Sequence, residues 1–401
     1  MSRIVFVNRV FTPDESATSQ LLHDVSTALA ALSWRIVVIT GGGEQLPDRE
    51  WVQRVEVARI GRSDRRRHHL LVRAFRDVLI WIQLVWKVWR EVRSGDVVVA
   101  MTDPPLLGVG VDLAVGKRAP VYHWCQDVYP EVAMAIAGSR LRRRLLEPFR
   151  WLRDASWRRA AGLVVLGEDM QRLVEGRGVP SGRITIGPNW PPLGTRPVNG
   201  VYLRRYWKLG DQFVITYSGN LGRVHALQPL IETAERLKDD PRFVFMIIGH
   251  GHQLRRLERQ VAGRGLTNVR FLPPQPRLRL SEVLAASNVQ VVSMKPECVG
   301  TVWPSKFYGI VAAHRPMLFI GPAEAEVSQL VVRHGLGASF RPEDVDGMVN
   351  FITRLADHAE EQTTIETRVA ALADELPGLA EALDLWIRLV AREVPPVPVH
   401  T

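Results

Sequence analysis

The stretch from Glu297 to Pro316 carries the residues best suited to hold an anion. It follows an apolar run, Val289–Met294, that predicts a buried strand, and it enters an amphipathic helix that begins near Ser305. Such a junction places backbone N–H groups and the ammonium of Lys306 where an anionic ligand can sit. The alternative is an ordinary connection between a strand and a helix with a lysine on the surface, so the remaining loops have to distinguish the two.

Two more glycine-containing loops follow predicted strands in the second half of the chain, namely Gly219–Arg223 and Gly249–Gly251. In doubly wound α/β sheets, ligands bind at the carboxyl ends of the strands, and glycine lets the backbone approach them closely. Arg223 and Lys306 add two cations, which suit a diphosphate and would stabilise its developing charge as it leaves. One glycine after a strand is commonly only turn chemistry. Three loops with both cations together favour a diphosphate site.

Apolar runs alternate with amphipathic segments along the chain, which predicts parallel sheets covered by helices. The predicted strands are Ile4–Asn8, Trp34–Thr40, Asp96–Met101, Pro120–Trp124, Ala160–Leu166, Ile184–Ile186, Phe213–Ser218, Phe243–Ile248, Val269–Leu272, Val289–Ser293 and Met317–Ile320. The predicted helices include Ser19–Leu32, Gly167–Arg177, Ala226–Leu237, Gln253–Arg264, Leu280–Ala286 and Leu376–Glu393. We therefore predict an α/β fold with two doubly wound domains in tandem.

A cluster of prolines and glycines between Pro188 and Gly200 indicates where the two domains meet. A chain of 401 residues is also longer than a domain with a single hydrophobic core usually is, which indicates two domains. We predict an N-terminal domain over residues 1–192 and a C-terminal domain over residues 205–375.

The net charge of +10 is concentrated in two stretches, Asp64–Arg93 and Ser139–Arg159. Both combine arginines, among them Arg66, Arg67 and Arg73, with leucines and tryptophans at near-helical spacing. This combination suits a helix lying on an anionic membrane surface, whereas the alternative is a solvated basic helix that covers the core. Nucleic acid is not expected as a partner because the chain carries no nucleic-acid-binding motif.

The cysteines and the apolar segments indicate the cellular compartment of the protein. Cys125 and Cys298 lie far apart and form neither a disulfide framework nor a zinc spacing, which favours a reducing cytosol. The N-terminus lacks the pattern of a signal peptide, and no apolar stretch reaches the ~18–20 residues that span a bilayer. We expect a cytoplasmic protein.

Several motifs occur in an order that resembles a known family. In the second half they are Ser218–Gly222, Ile248–Gly251, Pro304–Gly309 and Ala312–Pro316, and in the first half Pro13–Glu15, Gln126–Glu131 and Pro188–Trp190. The chain resembles the family 4 retaining glycosyltransferases of GT-B fold over roughly Ile4 to Val390. It looks closest to the bacterial branch that builds O-antigen, capsule and exopolysaccharide, including N-acetylfucosaminyltransferases.

The resemblance implies two Rossmann-like domains that face a central cleft, with the C-terminal helix, residues 376–393, crossing back to the first domain. It implies that Arg223 and Lys306 hold the donor diphosphate without a metal or other cofactor. The remaining donor-binding residues would be Gly219, Asn220, Gly249, Gly251, Pro304 and Ser305.

One position departs from the wider family, in which two glutamates separated by seven residues occur here and the second binds the nucleotide ribose. Counting back from His314–Pro316 places Gly309 at the second glutamate and Thr301 at the first. Glu297 is the only acidic residue of this loop. Glu326 is an alternative ribose ligand, although a position at a helix N-terminus explains it equally well.

In the first half, Asp127 is the candidate for the reactive centre. Its carboxylate would orient the acceptor hydroxyl or stabilise positive charge on the sugar, while the alternative is that it caps the turn before Pro130. His123 is a rival that the strand pattern could equally bury, and Asp14 and Glu15 are candidates for contact with the acceptor. A nucleophilic role for Cys125 is not expected because no neighbouring base is indicated.

These observations predict a retaining glycosyltransferase that uses a UDP-linked sugar and a polyprenyl-diphosphate-linked saccharide as acceptor. We place it at the inner face of the cytoplasmic membrane in cell-surface polysaccharide biosynthesis. A UDP-sugar epimerase of the same fold, which needs no acceptor, is one alternative. A non-catalytic nucleotide-binding or scaffold protein is another, suggested by the missing glutamates.

Overall fold

The computed structural model describes residues 2–43, 46–62, 70–391 and 393, with side chains from Phe75 onward in the helix that begins at residue 70. The start of the basic stretch Asp64–Arg93, including Arg66, Arg67 and the side chain of Arg73, lies outside the described part. The chain forms two units. The first comprises Met1–Asn189, Gly300–Val302 and Pro377–Thr401, and the second Trp190–Val299 and Trp303–Leu376.

The first unit is built on a sheet whose described strands have the order β3-β4-β2-β1-β5-β6-β7-β8. They are β1 (Ile4–Val7), β2 (Ile36–Gly42), β3 (Arg49–Val52), β4 (Val55–Arg62), β5 (Val97–Ala100), β6 (Val121–Trp124), β7 (Gly162–Val165) and β8 (Ile184–Ile186). The helices between them are α1 (Ala17–Ala31), α2 (Leu70–Glu91), α3 (Leu107–Val115), α4 (Glu131–Ala135), α5 (Arg140–Arg159) and α6 (Glu168–Glu175). Neighbouring strands pair in parallel, except that β3 runs antiparallel to β4 at the edge.

The second unit repeats the design with a parallel sheet of order β11-β10-β9-β12-β13-β14 in the described chain. Its strands are β9 (Phe213–Ser218), β10 (Phe243–Ile248), β11 (Val269–Leu272), β12 (Val289–Ser293), β13 (Met317–Ile320) and β14 (Gly337–Phe340). Its helices are α7 (Val201–Tyr206), α8 (Gln228–Arg236), α9 (Leu254–Gly263), α10 (Leu280–Ala285), α11 (Lys306–Ala312), α12 (Glu326–Arg333), α13 (Val345–Asp357) and α14 (Ala359–Glu375). The two doubly wound domains predicted from the sequence are confirmed.

Strand residues of the first unit alternate between two buried layers. Val5 and Val37 pack on one face of the sheet with Leu84 of α2 and Val111 of α3. Phe6 points to the opposite face, as expected of successive strand residues. There its ring meets the edge of Trp386, in the final helix α15 (Leu379–Val390).

The helix α15 is a full part of the first unit. Trp386 is only 1% exposed and contacts Trp124 edge to face at 5.0 Å between ring centroids. The tyrosine hydroxyl of Tyr122 donates to the carbonyl of Leu389 at 3.4 Å. The predicted helix Leu376–Glu393 is shorter in the structure because Pro377 and Gly378 precede its first turn.

The hairpin β3–β4 has no counterpart among the predicted strands. Residues of β3 alternate between exposed and half-buried, so this edge strand lacks the continuous apolar run that marks the central strands. Trp51 on β3 is exposed, and its partner in register, Glu56, is buried on β4. A short strand of this kind is recognised from its pairing with the neighbouring strand in the structure, not from the sequence pattern.

Replacing Trp386 with alanine should destabilise the first unit. Removing a buried indole leaves a cavity and typically costs about 3–5 kcal/mol. We expect calorimetric unfolding of the full chain to show a transition at lower temperature for Trp386→Ala, with Asp384→Ala, an exposed residue of the same helix, as matched control. An unchanged transition for Trp386→Ala would contradict this packing.

Candidate functional site

Lys306 is the first residue of α11, directly after the loop that leaves β12. Its Nζ atom is buried and has no hydrogen-bond partner among the described residues. The atom lies 3.4 Å from the ring centroid of Tyr217, over the face of the ring. Burial lowers the pKa of Lys306 well below its usual value. A buried ammonium without a hydrogen-bond partner is suited to bind an anion. The alternative interpretation predicted a lysine on the surface, whereas the Nζ atom in the structure is buried.

Tyr217 contacts this lysine, and His225 packs against Tyr217. The hydroxyl of Tyr217 donates to the carbonyl of Asn220 at 2.8 Å, and the Tyr217 and His225 rings meet edge to face at 5.7 Å. Nδ1 of His225 lies 2.7 Å from the carbonyl of Ser293, so this nitrogen carries the proton. Burial is the largest cause, and the charge of Lys306 the second, of a pKa of His225 lowered to about 3. The imidazole is therefore neutral.

The two glycine loops lie against each other. Leu221 N donates to the carbonyl of His250 at 2.8 Å, and Gly219 N donates to Ile248 at 2.9 Å. Gly249 has φ +142°, and a Cβ there would collide with the carbonyl oxygen of Gly219. A Cβ on Gly251 would lie 2.6 Å from the backbone of Leu221. These glycines thus allow close contact between the loops, whereas the sequence interpretation related them to a ligand or to turn formation.

The other predicted donor residues of these loops are more open. Arg223 and Asn220 are exposed, and a guanidinium nitrogen of Arg223 lies 3.5 Å from Nδ1 of His252. Burial and, secondarily, Arg223 lower the pKa of His252. The side chains of Asn220 and Arg223 are therefore accessible to a ligand.

The loop before α11 adds an aromatic residue that the sequence analysis did not single out. Trp303 stacks on Tyr308, with ring centroids 4.8 Å apart, and its indole N–H donates to Glu326 at 3.2 Å. Glu326 lies in the first turn of α12, after the N-cap residue Ala325. Pro304 is buried, and Ser305 is the N-cap of α11. A tryptophan directly before the Pro304–Lys306 motif was the available signal.

Gly309 lies within α11 and is buried. A Cβ at this position would make only ordinary contacts, 3.7 Å from Cδ of Pro192 and 4.0 Å from Cδ1 of Leu284. Thr301, at the other family position, belongs to the first unit, where its carbonyl accepts from Val128 N at 2.7 Å.

Asp127 follows β6 in the first unit and is half-buried. Its backbone N–H donates to Oγ1 of Thr102 at 3.3 Å, and it pairs with Val302 in an isolated antiparallel bridge. Burial, followed by the charge of Asp103, raises the pKa of Asp127 to about 6. A carboxyl group whose pKa lies near neutral pH is typical of residues that accept or donate protons in catalysis.

Arg9 and Asp103 lie at the same edge of this sheet, after β1 and β5, and the sequence analysis missed their connection. Arg9 pairs with Asp103 at 2.6 Å and with Asp77 at 2.9 Å. Only the parallel order β1-β5-β6 brings residues from such distant parts of the chain together.

His123 is held inside the first unit. It is 5% exposed, and its Nε2 atom lies 3.2 Å from a carboxylate oxygen of Asp112, which also accepts from Ser156. The imidazole abuts Gly108 of α3. This geometry agrees with the buried strand residue of the alternative interpretation and gives an acceptor no direct access to the ring.

Asp14 and Glu15 precede α1. A carboxylate oxygen of Asp14 accepts from Ser16 N at 2.8 Å, which is a local turn interaction. Glu15 is exposed, and its carbonyl accepts from Gln20. Cys125 is buried, which raises its thiol pKa to about 12 and agrees with an inert residue.

Among the described residues, no group of three or more His, Cys, Asp or Glu side chains could hold a metal ion. Within the same part of the chain, no helix is both long and apolar enough to cross a membrane.

Comparison with known families matches each unit separately. Residues 18–190 match the sequence model of the glycosyl transferase 4-like domain, and residues 203–303 match glycosyl transferases group 1. The chain combines two glycosyltransferase domains. The epimerase and scaffold alternatives are not favoured.

Two named proteins share sequence with these domains. WcaI of Escherichia coli (strain K12), named as a colanic acid biosynthesis glycosyl transferase, is 31% identical over 186 residues. That alignment covers 45% of each chain, so this chain spans less than half of WcaI. WbjE of Pseudomonas aeruginosa, named as a glycosyltransferase, is 24% identical over 314 residues, 75% of this chain and 76% of its own.

The fold also matches solved structures. The structure of Anabaena Alr3699/HepE in complex with UDP-glucose has a TM-score of 0.74 at 15% identity, covering 98% of this chain and 100% of its own. The fold is therefore that of GT-B glycosyltransferases.

The raised pKa of Asp127, in the glycosyl transferase 4-like domain, predicts a pH-dependent stability. The folded chain holds this proton up to about pH 6 and the unfolded chain only to about pH 4, so stability falls as the pH rises through that window. Asp127→Asn should raise the free energy of unfolding by roughly 1–2 kcal/mol at pH 7.5, and by less at pH 5.

Urea unfolding at the two pH values measures this difference. Asp239→Asn, an exposed carboxyl of the second unit, serves as matched control. Equal stability of Asp127→Asn and the wild type at pH 7.5 would show that the negative charge of Asp127 does not lower the free energy of unfolding.

Proposed function

We propose that this protein transfers a sugar, with retention, from a UDP-linked donor to a lipid-linked saccharide. The observation that carries the proposal is the buried, unpartnered Nζ of Lys306 at the carboxyl end of a parallel sheet. The complex of the fold relative HepE with UDP-glucose supports the nature of the donor.

The second unit is the donor half in this proposal. Lys306 and Arg223 take the diphosphate, and the loops Gly219–Arg223 and Gly249–Gly251 take the nucleotide. In the reaction the bond between the anomeric carbon and the diphosphate oxygen breaks, and the acceptor oxygen bonds to that carbon on the same face. The acceptor proton passes to the departing diphosphate, whose negative charge the two cations stabilise without a metal.

The first unit is the acceptor half. The Asp127 carboxylate would orient the acceptor hydroxyl or stabilise positive charge on the sugar. With Gly309 at the usual glutamate position, Glu326 is the proposed ribose ligand, already oriented by the indole of Trp303.

The sugar we propose is a hexose or N-acetylhexosamine, as in the N-acetylfucosaminyltransferase branch. The name of WcaI supports a role in polysaccharide biosynthesis. We propose a polyprenyl diphosphate as the lipid carrier of the acceptor.

Helices α2 and α5 of the first unit each expose apolar and basic side chains, which we together call the α2–α5 surface. It includes Trp86 and Trp89 of α2, the latter 59% exposed, and Trp151 of α5, which is 78% exposed. Arg143 and Arg144 lie exposed on α5. Exposed tryptophans beside arginines suit the interface of an anionic membrane, so we propose that this surface holds the protein at the inner face of the cytoplasmic membrane.

Lys306→Ala should weaken binding of UDP by about 10- to 100-fold, because a charge-assisted hydrogen bond to phosphate is lost. Isothermal titration of the full chain with UDP in EDTA measures the loss. Lys238→Ala, an exposed lysine after α8, should bind as the wild type does. Unchanged affinity in Lys306→Ala would remove the diphosphate assignment.

The combined variant Arg143→Glu, Arg144→Glu, Trp151→Ser should reduce binding to vesicles containing phosphatidylglycerol by at least about tenfold, since each arginine near an anionic surface contributes about 1 kcal/mol. Co-sedimentation measures the effect. The matched control in the second unit is Arg255→Glu, Arg256→Glu, Leu278→Ser, all exposed residues. If both triple variants bind equally well, the α2–α5 surface is not the docking site.

A further inference from the structure

Lys306 is stabilised in an unusual way for a buried lysine. No carboxylate of the described residues pairs with its Nζ atom. The atom lies over the electron-rich face of Tyr217, 3.4 Å from the ring centroid. An aromatic face attracts an ammonium but does not neutralise it.

Tyr217 contacts both parts of the candidate donor site. It is the penultimate residue of β9, and its side chain is fully buried. The ring face holds Lys306 of α11, while the hydroxyl donates to the carbonyl of Asn220 in the loop after β9. One rigid side chain with two rotatable bonds therefore sets the position of a flexible lysine relative to that loop.

His225 supports this arrangement from the side. Its ring meets Tyr217 edge to face, and its Nδ1–H donates to the carbonyl of Ser293 at the end of β12. A protonated imidazole here would add a second cation close to Lys306. The neutral ring instead completes the packing around Tyr217 without repelling the lysine.

We propose that Tyr217 is a positioning residue for the donor diphosphate, whose ring face fixes the Lys306 ammonium and whose hydroxyl fixes the Asn220 loop. This inference rests on the proposed function. Because the ring contacts Lys306 while its Nζ atom has no hydrogen-bond partner among the described residues, the lysine is held in place before the anion arrives, and binding does not have to order it.

The test compares UDP binding by the full chain with Tyr217→Leu, Tyr217→Phe and Tyr217→Leu/Lys306→Ala variants. Tyr217→Leu should weaken UDP about tenfold, and Tyr217→Phe, which keeps the ring, roughly two- to threefold. The double variant should bind at most two- to threefold more weakly than Lys306→Ala, the loss that the hydroxyl accounts for, because the ring acts through the lysine. Wild-type affinity in Tyr217→Leu, or equal losses with and without Lys306, would overturn the proposal.

A second measurement separates the ring electrostatics from packing, including the case in which Tyr217→Leu does not fold. Phenylalanine analogues with increasing fluorination at position 217 keep the shape of the ring while weakening its attraction for cations. UDP affinity should fall stepwise with fluorination, whereas a purely structural role predicts no trend.

Inorganic pyrophosphate distinguishes failure of this inference from failure of the UDP assignment. If pyrophosphate binds in a Tyr217-dependent way and UDP does not, the donor is wrong and the positioning role stands. If UDP affinity depends on Lys306 but not on Tyr217, the donor assignment stands and the positioning role is wrong. If neither anion binds, both are wrong.

Discussion

A parallel sheet imposes the constraint on which both units depend. Its central strands are buried on both faces, so helices must cover each face, and strands that run parallel all end at the same edge. Residues far apart in sequence thereby become neighbours. In the second unit this edge gathers the loops after β9, β10 and β12, and with them Tyr217, His225 and Lys306.

The cost of this arrangement is visible in the charges held at the two edges. Lys306 is buried without a counterion among the described residues, and the half-buried Asp127 carries a raised pKa. Each group would be more stable in water, so folding alone does not account for its position. In the first unit the packing that offsets this cost includes rows of aliphatic side chains under α2 and α3, and the Trp124–Trp386 contact on the other face. Functional sites commonly combine a well-packed scaffold with such unfavourable groups.

The central strands and most helices were predictable because burial on both faces leaves continuous apolar runs. Predicted β9, β10 and β12 coincide with the observed strands. The β3–β4 hairpin was missed since its edge strand β3 has no continuous apolar run, and the start of α15 was set by Pro377 and Gly378 rather than by periodicity. For the site, sequence pointed to Lys306 and Asp127, but not to Trp303 beside Glu326 or to Arg9 beside Asp103.

What the sequence determined by itself was the fold class, with two doubly wound domains, and it predicted the loops that carry the candidate site. These follow from local properties: apolar periodicity, glycine and proline positions, and the types of charged residue. Tertiary structure alone decided the protonation and exposure of those residues. It buried Lys306 over Tyr217, enclosed His123 with Asp112, and showed that Gly249 and Gly251 serve the contact between two loops. Burial and pKa depend on neighbours brought from distant segments, and no local pattern encodes which neighbours those are.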